Sequence, residues 1–519
     1  MHRFWKSLAI VAAFGVATAG CQELTVPNLN NPERERVLQE PDDVEALLVG
    51  TWTQVWDLWQ GATYSSLALS TIADEFTTTH ENFGAWALSS EPRGAFDNTP
   101  EYAYAAVAEN PYYNTYDALA SVHDGLEAIL KRGIRITDSR GNDLTPRAIA
   151  FAKFTQGALL GYLGLLYDRA FVVTENTPIA DADKVKAMKP LPYREVLDSA
   201  IASLEAALEI VATHGVTIPG AWVKSDDLSA DAFQRLIHSY IARYLVYGAR
   251  TPAERAAVDW ARVIREVDQG IVSDFEIQGG QGLQSAYKQY AQNSNCASCV
   301  TYYADYDLIG PADVSGAYQA WLATPLMARE RFDIVTPDRR ITGPDGPRSN
   351  GTYFRYLPST NLRADRGTYH FSNYQFYRFR GEYGRTAGAR IPAVTVAEMR
   401  LLKAEALYRL GDRAGAAALI NETRVANGQL PPVTASGVPE AADCVPRTAD
   451  GRCGDLWDAL VYEKRIETAG TDQIAFFDAR GFGLLKPGTF LHLPIPGREL
   501  DVYGFPYYTF GGGGEGSAN

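Results

Sequence analysis

Positive charge is scarce in this chain of 519 residues, and histidine, methionine and cysteine are few. Lysine and arginine total 48 against 62 aspartates and glutamates, so the net charge is −14. No stretch concentrates basic residues, which argues against a nucleic-acid partner. The seven histidines are scattered, and we interpret them as structural rather than catalytic. No cofactor and no metal site are expected.

Motifs of common enzymes are also absent. The chain has no His-Glu-x-x-His, no Gly-x-Ser-x-Gly and no Gly-x-x-x-x-Gly-Lys phosphate loop. Acidic residues are numerous enough to supply the carboxylate pair of a glycosidase, but nothing in the sequence places such a pair in a cleft. We therefore expect a protein that is not an enzyme. A secreted glycoside-acting enzyme on a helical frame remains the alternative.

The first twenty residues have the pattern of an export signal. Arg3 and Lys6 precede a short apolar stretch over residues 8–17, and small residues follow directly before Cys21. This junction resembles a lipobox, the bacterial signal whose cysteine is acylated after cleavage. An ordinary signal peptide with an incidental cysteine is the alternative. The pattern predicts a lipoprotein signal peptide over 1–20 and a lipid on Cys21. We expect no later stretch to be long and apolar enough to cross a membrane.

Helical periodicity is the main structural signal. In residues 395–427 one apolar stripe ends at Gly411-Asp412 and a second ends near Asn427-Gly428. Two short helices joined by a tight turn form a hairpin with the spacing of a tetratricopeptide repeat, and such a hairpin needs others stacked on it. Further periodic stretches lie at about 42–59, 114–132, 146–171, 193–212, 230–248 and 455–469. The prediction is a mainly α-helical scaffold of about four hairpins.

Residues 270–394 interrupt this periodicity. Glycine, proline, asparagine, tyrosine and arginine dominate there, which predicts loops with short strands. Long ordered loops on a rigid scaffold are where binding sites usually lie. The expected organisation is one domain over 21–519, with the scaffold at about 42–269 and 395–510, a loop-rich binding lobe at 270–394 and a flexible glycine-rich tail at 511–519.

Four cysteines remain once Cys21 is acylated, and they form two local pairs. Cys296 lies near Cys299, and Cys444 lies near Cys453. Because an exported protein meets an oxidising compartment, we predict two disulfides. A four-cysteine zinc site is disfavoured by the long gap between Cys444 and Cys453. A thioredoxin-type redox site is disfavoured by the polar loop around Cys296.

Several ordered segments resemble the SusD/RagB family of outer-membrane nutrient-binding lipoproteins. They are 336–340 with Asp333, 391–428, the EKRIE sequence at 463–467, 477–481, and 492–496 with Glu499 and Leu500. Residues 469–472 and the aromatic, glycine-rich C terminus depart from the family pattern. The resemblance implies four tetratricopeptide-like hairpins that carry a loop-rich binding lobe (a SusD-like arrangement).

The resemblance also implies a function and a partner. Such a lipoprotein captures oligosaccharide or peptide at the cell surface and covers a SusC-like TonB-dependent transporter, which imports the ligand. The chain is then lipid-anchored in the outer membrane. A repeat scaffold without a ligand is a third hypothesis, but the long aromatic insert argues against it. Arg465 and Arg480 are expected to make structural ion pairs rather than to contact a ligand.

Two aromatic clusters outside the regular helices are candidate ligand sites. A sugar presents apolar C–H faces between hydroxyls, so flat rings with nearby polar groups hold it. The candidates are Phe83, Trp86 and Arg93 in an early irregular segment and Tyr302, Tyr303, Tyr306 and Trp321 in the insert. Trp86 and Trp321 are favoured because small or polar residues surround each. The alternative is that these rings pack the insert onto the scaffold.

Overall fold

A computed structural model describes residues 30–61, 65–278, 301–379 and 390–512. The signal peptide, Cys21 and the Cys296/Cys299 pair lie outside these ranges, so what the sequence indicates about them stays a prediction. Within the described residues helices predominate, and the predicted mainly α-helical class is confirmed.

The helices carry the periodic stretches of the sequence. In chain order they are α1 (Asn30–Val37), α2 (Pro41–Gln60), α3 (Ser66–Ile72), α4 (Ala85–Ser89), α5 (Ala106–Leu130), α6 (Thr145–Leu166), α7 (Ala182–Ala187), α8 (Tyr193–His214), α9 (Gly220–Val223), α10 (Ala230–Tyr247), α11 (Pro252–Ala256), α12 (Trp260–Asp268), α13 (Tyr306–Ile309), α14 (Ala317–Ala323), α15 (Val396–Arg409), α16 (Arg413–Ala426), α17 (Leu456–Glu467), α18 (Ile474–Phe482) and α19 (Gly497–Tyr503). Helix α5 begins well before the predicted residue 114, because it continues through Pro111.

The longer helices form one continuous stack. Each of α5, α6, α8, α10, α12, α15, α16 and α17 packs against the next in this order. The contact of α6 with its neighbours is close because Gly157, Gly161 and Gly164 share one helix face. A Cβ on any of them would collide with Leu204, Tyr244 or Leu197 respectively. The stack is the arrangement that tetratricopeptide-like hairpins require to bury their apolar faces.

Helix α6 is long and apolar enough to cross a membrane, contrary to the expectation that no stretch after the signal qualifies. However, 89% of its most apolar window is buried inside the protein. Its hydrophobicity is therefore explained by its central place in the stack, where it is covered on all sides.

The strands are short and pair two by two. They are β1 (Phe76–Thr77), β2 (Arg169–Ala170), β3 (Leu191–Pro192), β4 (Phe275–Gln278), β5 (Tyr303–Ala304), β6 (Phe354–Tyr356), β7 (Tyr374–Phe376) and β8 (Arg390–Val394). All four pairs, β1–β5, β2–β3, β4–β8 and β6–β7, are antiparallel. Because β4 and β8 flank the insert, their pairing brings its two ends together at the edge of the helical stack.

Arg480 and Arg465 were expected in ion pairs, and the expectation is wrong for Arg480 within the described residues. Arg465 donates to the carbonyls of Asp307 and Asp74, and its charge favours the ionised forms of Asp307 and Glu75 without a close ion pair in the same part of the chain. Arg480 is buried and donates to the carbonyls of Leu165, Leu491 and Tyr247 at 3.0, 2.8 and 2.8 Å. Leu165 and Tyr247 lie in the last turns of α6 and α10, where carbonyls lack partners within the helix. Arg480 therefore satisfies two helix ends rather than a carboxylate.

The C-terminal tail is anchored further than the sequence suggested. Gly511 forms an antiparallel bridge with Ala95, and the N–H of Gly512 donates to the carbonyl of Gly488 at 2.7 Å. Both glycines have positive φ, a backbone conformation that glycine adopts without steric strain. Residues 511 and 512 therefore do not belong to a flexible tail, and the rest of the predicted tail, 513–519, lies outside the described ranges.

Candidate ligand site

Strand pairing joins the two predicted aromatic clusters. Phe76 lies opposite Ala304, and Thr77 lies opposite Tyr303. Next to the pair, the N–H of Asp305 donates to the carbonyl of Glu75 at 3.0 Å. The early irregular segment and the insert therefore belong to one region of the molecule.

The three tyrosines of the insert lie in its core. Tyr302, Tyr303 and Tyr306 are 0%, 1% and 2% exposed. Tyr306 stacks on Phe332 with ring centroids 4.2 Å apart, and its hydroxyl donates to the Phe332 carbonyl at 2.7 Å. The hydroxyl of Tyr303 accepts a hydrogen bond from the N–H of Asn361 at 3.1 Å. This burial corrects the expectation that these rings offer their faces to a ligand.

Trp321 is enclosed as well, at 8% exposed. Its ring centroid lies 5.4 Å from that of Tyr306 and 6.0 Å from that of Tyr318. The guanidinium of Arg329 covers the ring at 4.2 Å from its centroid. The indole N–H is buried without an acceptor among the described residues. Trp321 therefore packs inside the insert, and its ring offers no open face to a ligand.

Arg93 is a structural residue in this arrangement. It is 5% exposed, and its Nη2 lies 2.9 Å from Oδ1 of Asp74. The same nitrogen donates to the Ile72 carbonyl at 3.3 Å, and Nε donates to the Thr489 hydroxyl at 3.3 Å. Burial raises the pKa of Asp74 to about 6, although Arg93 opposes the shift. The predicted ligand role of Arg93 is thus replaced by an internal ion pair.

Trp86 is the candidate tryptophan that keeps part of its ring accessible. It lies in the short helix α4 and is half-buried. The guanidinium of Arg366 lies 4.4 Å from its ring centroid. Arg366 is itself fixed, because it pairs with Glu81 at 2.7 Å and donates to the carbonyl of Thr79 at 2.7 Å. The indole N–H of Trp86 is buried and has no acceptor within the described part of the chain.

The backbone before α4 is held in an unusual conformation. Phe83 has φ +56° and Gly84 has φ +73°, so two consecutive residues are left-handed. This conformation is costly for phenylalanine, and such residues gather at functional sites. The ring of Tyr104 packs against Gly84, and burial together with the neighbouring Glu81 carboxylate raises the pKa of its hydroxyl. Trp86, Phe83, Tyr104, Glu81 and Arg366 together form what we call the Trp86 surface.

One side-chain cluster in the described residues has a geometry that suits a metal. It consists of His123, Asp124 and Glu127. However, Arg34 binds both oxygens of Asp124 at 2.7 and 2.5 Å, and His123 contacts the carbonyl of Thr177 at 2.8 Å. The arginine already supplies the positive charge that a cation would bring, so the cluster does not indicate a metal site.

A disulfide joins Cys444 and Cys453, as their local pairing predicts, with their Cα atoms 5.7 Å apart. The loop that it closes forms one wall of a cleft of about 310 Å³. A shallower groove of about 400 Å³ lies beside α8 and α10, and its lining includes Tyr193 and Tyr244.

Comparison with known proteins identifies the fold. No family model matches the chain, and no curated protein does either. Solved structures do match. A SusD superfamily protein from Bacteroides vulgatus is 13% identical with a TM-score of 0.56, over 89% of this chain and 97% of that one. A SusD superfamily protein from Bacteroides thetaiotaomicron is 14% identical with a TM-score of 0.55, over 89% and 96%.

A SusD-like carbohydrate binding protein from Bacteroides fragilis is 15% identical with a TM-score of 0.55, over 86% of this chain and 87% of that one. The chain has the SusD fold. At these identities the likeness concerns the fold alone.

The residues that line the 310 Å³ cleft of this SusD fold were not predicted from the sequence. They come from distant segments, so no local pattern links them.

Proposed function

We propose that the protein is an outer-membrane lipoprotein that captures an oligosaccharide at the cell surface. The observation that carries the proposal is the SusD fold, shared over 89% of the chain with a structure of that superfamily. A structure with this fold is described as a carbohydrate binding protein. The captured ligand passes to a SusC-like TonB-dependent transporter, on which the helical stack sits. A peptide is the alternative cargo.

The Trp86 surface is the proposed contact with the glycan. A half-buried indole supplies an apolar face, while Glu81 and the Tyr104 hydroxyl supply polar groups beside it. The ion pair of Arg366 with Glu81 fixes the guanidinium that covers the ring. A ligand therefore meets groups whose positions are already set, which lowers the entropic cost of binding.

The test is a calorimetric binding screen of the purified protein against neutral and acidic oligosaccharides and against peptides. We expect one glycan class to bind and to remain uncleaved during prolonged incubation. Cleavage of the bound glycan would favour the alternative of a glycoside-acting enzyme. Absence of binding across the whole screen would favour a scaffold without a ligand.

The partner is tested separately, in the native membrane. A tagged protein should copurify with a TonB-dependent barrel after mild detergent extraction. The Trp86→Ala variant should still copurify with the barrel, because Trp86 belongs to the proposed ligand surface and not to the helical stack that is proposed to contact the barrel. Recovery of the protein without any barrel would count against the transport role and would leave ligand capture standing.

A further inference from the structure

A cleft of about 310 Å³ opens between α17, the disulfide-closed loop and the insert. Its lining is distinct from the Trp86 surface and comprises Ala73, Asp74, Asp307, Leu308, Pro311, Tyr318, Leu322, Pro446, Arg447, Thr448, Ala449, Trp457, Asp458, Val461, Tyr462, Arg465, Phe482, Leu484 and Lys486. The volume is at the lower end of the range for small-molecule pockets, about 300–1,000 Å³, which suits a ligand of one ring.

One side of the cleft is apolar and rigid. Trp457, Val461 and Arg465 follow one another at intervals of four residues, so they share a face of α17. Trp457 packs edge-on against Phe482, with ring centroids 5.4 Å apart and planes at 85°. Leu484 stands at 42% exposed beside them. This side can hold the C–H face of a ring.

Two arginines in the cleft make no close ion pair with the described residues, although the charge of Arg465 favours the ionised forms of Asp307 and Glu75. Arg465 donates to the backbone carbonyls of Asp307 and Asp74, at 2.6 and 3.1 Å. Arg447 donates to the carbonyls of Gly451 and Ala442, at 3.2 and 2.5 Å. The Nε of Arg447 is buried without an acceptor in the described chain. Carbonyls orient both guanidinium groups, and no carboxylate of the described residues contacts either group directly.

Acceptors for hydroxyl groups lie beside these cations. Asp307 binds Lys486 at 2.5 Å and accepts from the Tyr318 hydroxyl at 3.0 Å. Asp74 lies 4.0 Å from the same lysine. Asp458 uses one oxygen to cap α17, where it accepts from the N–H of Asp455 at 3.0 Å. The second oxygen of Asp458 and the further lone pairs of the Asp307 oxygens can accept hydrogen bonds from a ligand's hydroxyls.

We propose that the cleft is a binding site for a sugar acid of one ring, such as a uronic acid. The carboxylate of the ligand meets Arg447 and Arg465, because these two guanidinium groups are held by carbonyls alone and can still bind a carboxylate directly. Its hydroxyls donate to the carboxylates of Asp307 and Asp458, and its C–H face lies on the apolar side. A neutral hexose would leave the arginines without an anion. A carboxylate without hydroxyls would leave the acidic groups without donors.

The experiment is ligand-observed NMR and calorimetry on the full chain with free galacturonate and glucuronate. The comparison ligands are galactose, glucose and cyclohexanecarboxylate. We expect at least one uronate to bind about tenfold or more tightly than the hexose of the same configuration and than the cyclohexane acid. Equal binding of either comparison ligand, or no uronate binding up to about 10 mM, overturns the assignment.

Variants place the binding in the cleft. Arg447→Gln should weaken uronate binding at least about tenfold, because it removes one of the two guanidinium groups proposed to bind the ligand's carboxylate. Ala449 is exposed and lines the cleft, so Ala449→Trp should block entry without disturbing the fold. Ala435→Trp is the matched control, since Ala435 is also exposed but does not line the cleft. Unchanged binding by Ala449→Trp, or equal loss in Ala435→Trp, would refute the location.

Discussion

Arg340 and Glu463 form a bidentate ion pair in the interior of the protein. Nη1 lies 2.6 Å from Oε1 and Nη2 lies 3.0 Å from Oε2, and both side chains are 0% exposed. Glu467 and Asp338 bind the same guanidinium at 2.8 and 2.7 Å. Arg340 belongs to the insert and Glu463 to α17, so the cluster fastens the insert to the helical stack. Two of the sequence segments that resemble the SusD/RagB family, 336–340 and 463–467, meet here.

Replacing Arg340 by methionine should lower the free energy of unfolding by about 3–5 kcal/mol. The variant removes the cation that the three carboxylates share. Arg378 still pairs with Glu467 at 3.1 Å, but Asp338 and Glu463 are left buried without an ion pair among the described residues. Urea unfolding followed by far-ultraviolet circular dichroism measures the change. Arg348→Met is the control, because Arg348 pairs with Asp333 at the surface with its side chain 72% exposed. An exposed pair contributes about 0–1 kcal/mol, so comparable losses in the two variants would contradict the argument.

Glu75 should make stability depend on pH. Burial raises its pKa from 4.5 to about 7, although the Ser70 hydroxyl and the Gly470 N–H donate to its carboxyl at 2.7 and 3.0 Å. Between these pKa values the folded state binds more protons than the unfolded state. Stability is therefore lost as pH rises through this window, and the loss is complete above the folded pKa. At one pKa unit per 1.36 kcal/mol, the shift corresponds to about 3 kcal/mol at most.

The Glu75→Gln variant isolates this effect, because glutamine does not ionise. The difference in unfolding free energy, variant minus wild type, should increase between about pH 4.5 and pH 7 and then level off. Urea unfolding at several pH values measures it. Glu440→Gln at an exposed position should run parallel to wild type. A flat difference for Glu75→Gln would mean that the carboxyl ionises in the folded protein as it does in the unfolded chain.

The Cys444–Cys453 disulfide should stabilise the fold by about 2–3 kcal/mol through loop closure. The cysteines are nine positions apart, and the loop between them forms part of the wall of the 310 Å³ cleft. A Cys444→Ser and Cys453→Ser double variant should lower the unfolding free energy by that amount.

Intact-mass analysis tests the second predicted pair: reduction should add four hydrogens if Cys296 and Cys299 are also joined, and two if they are not.

The helical stack is the part of the structure that the sequence predicts best. Each helix of the 395–427 hairpin has an apolar stripe and a start signal that acts locally. Thr395 accepts a hydrogen bond from the N–H of Glu398, and Asp412 accepts one from the N–H of Gly415. Because the apolar stripe and the cap indicate the same start, the boundaries of these two helices can be predicted. Helix α5 is different: a proline usually interrupts a helix, yet α5 continues through Pro111, so its start was predicted too late.

The candidate site is harder to predict because it depends on long-range packing. The tyrosines of the insert occur in a segment without periodicity, so the sequence cannot distinguish a core ring from an exposed one. Tyr306 is buried by Phe332 and Trp321, both outside its own helix. The cleft charges are likewise unpredictable. Arg465 is oriented by the carbonyls of Asp307 and Asp74, which are distant in sequence. Arg447 is held by carbonyls of its own loop, and packing brings that loop to α17.

Cys21 is predicted to carry the lipid that holds the protein in the outer membrane. The reason is the junction of small residues that follows the apolar stretch at 8–17. Cys21→Ala should abolish incorporation of labelled palmitate and release the protein from the membrane fraction. A variant of Cys296 is the control, because it also removes one cysteine but lies far from the signal in sequence. Membrane attachment that persists with labelling in Cys21→Ala would refute lipidation at this residue.

Trp86 and Trp321 should respond differently to alanine, although both were candidates from sequence. Trp86 is half-buried, so Trp86→Ala should cost about 2 kcal/mol or more of binding to the glycan identified in the screen. Its melting temperature should change little. Trp321 is 8% exposed between Tyr306, Tyr318 and Arg329, so Trp321→Ala should cost about 3–5 kcal/mol of folding stability. Calorimetric titration and thermal unfolding measure the two effects.

The matched control for Trp86 is Trp222, another half-buried tryptophan with an arginine over its ring. Arg147 lies 4.6 Å from the Trp222 ring centroid, and Arg366 lies 4.4 Å from that of Trp86. Because the two rings have the same kind of partner, Trp222→Ala reproduces the loss of that contact at a different place. Glycan affinity should therefore fall in Trp86→Ala and stay at the wild-type value in Trp222→Ala. Equal affinities in both variants and in wild type would remove the Trp86 surface as the ligand site, and the aromatic contact would have to lie elsewhere on the SusD fold.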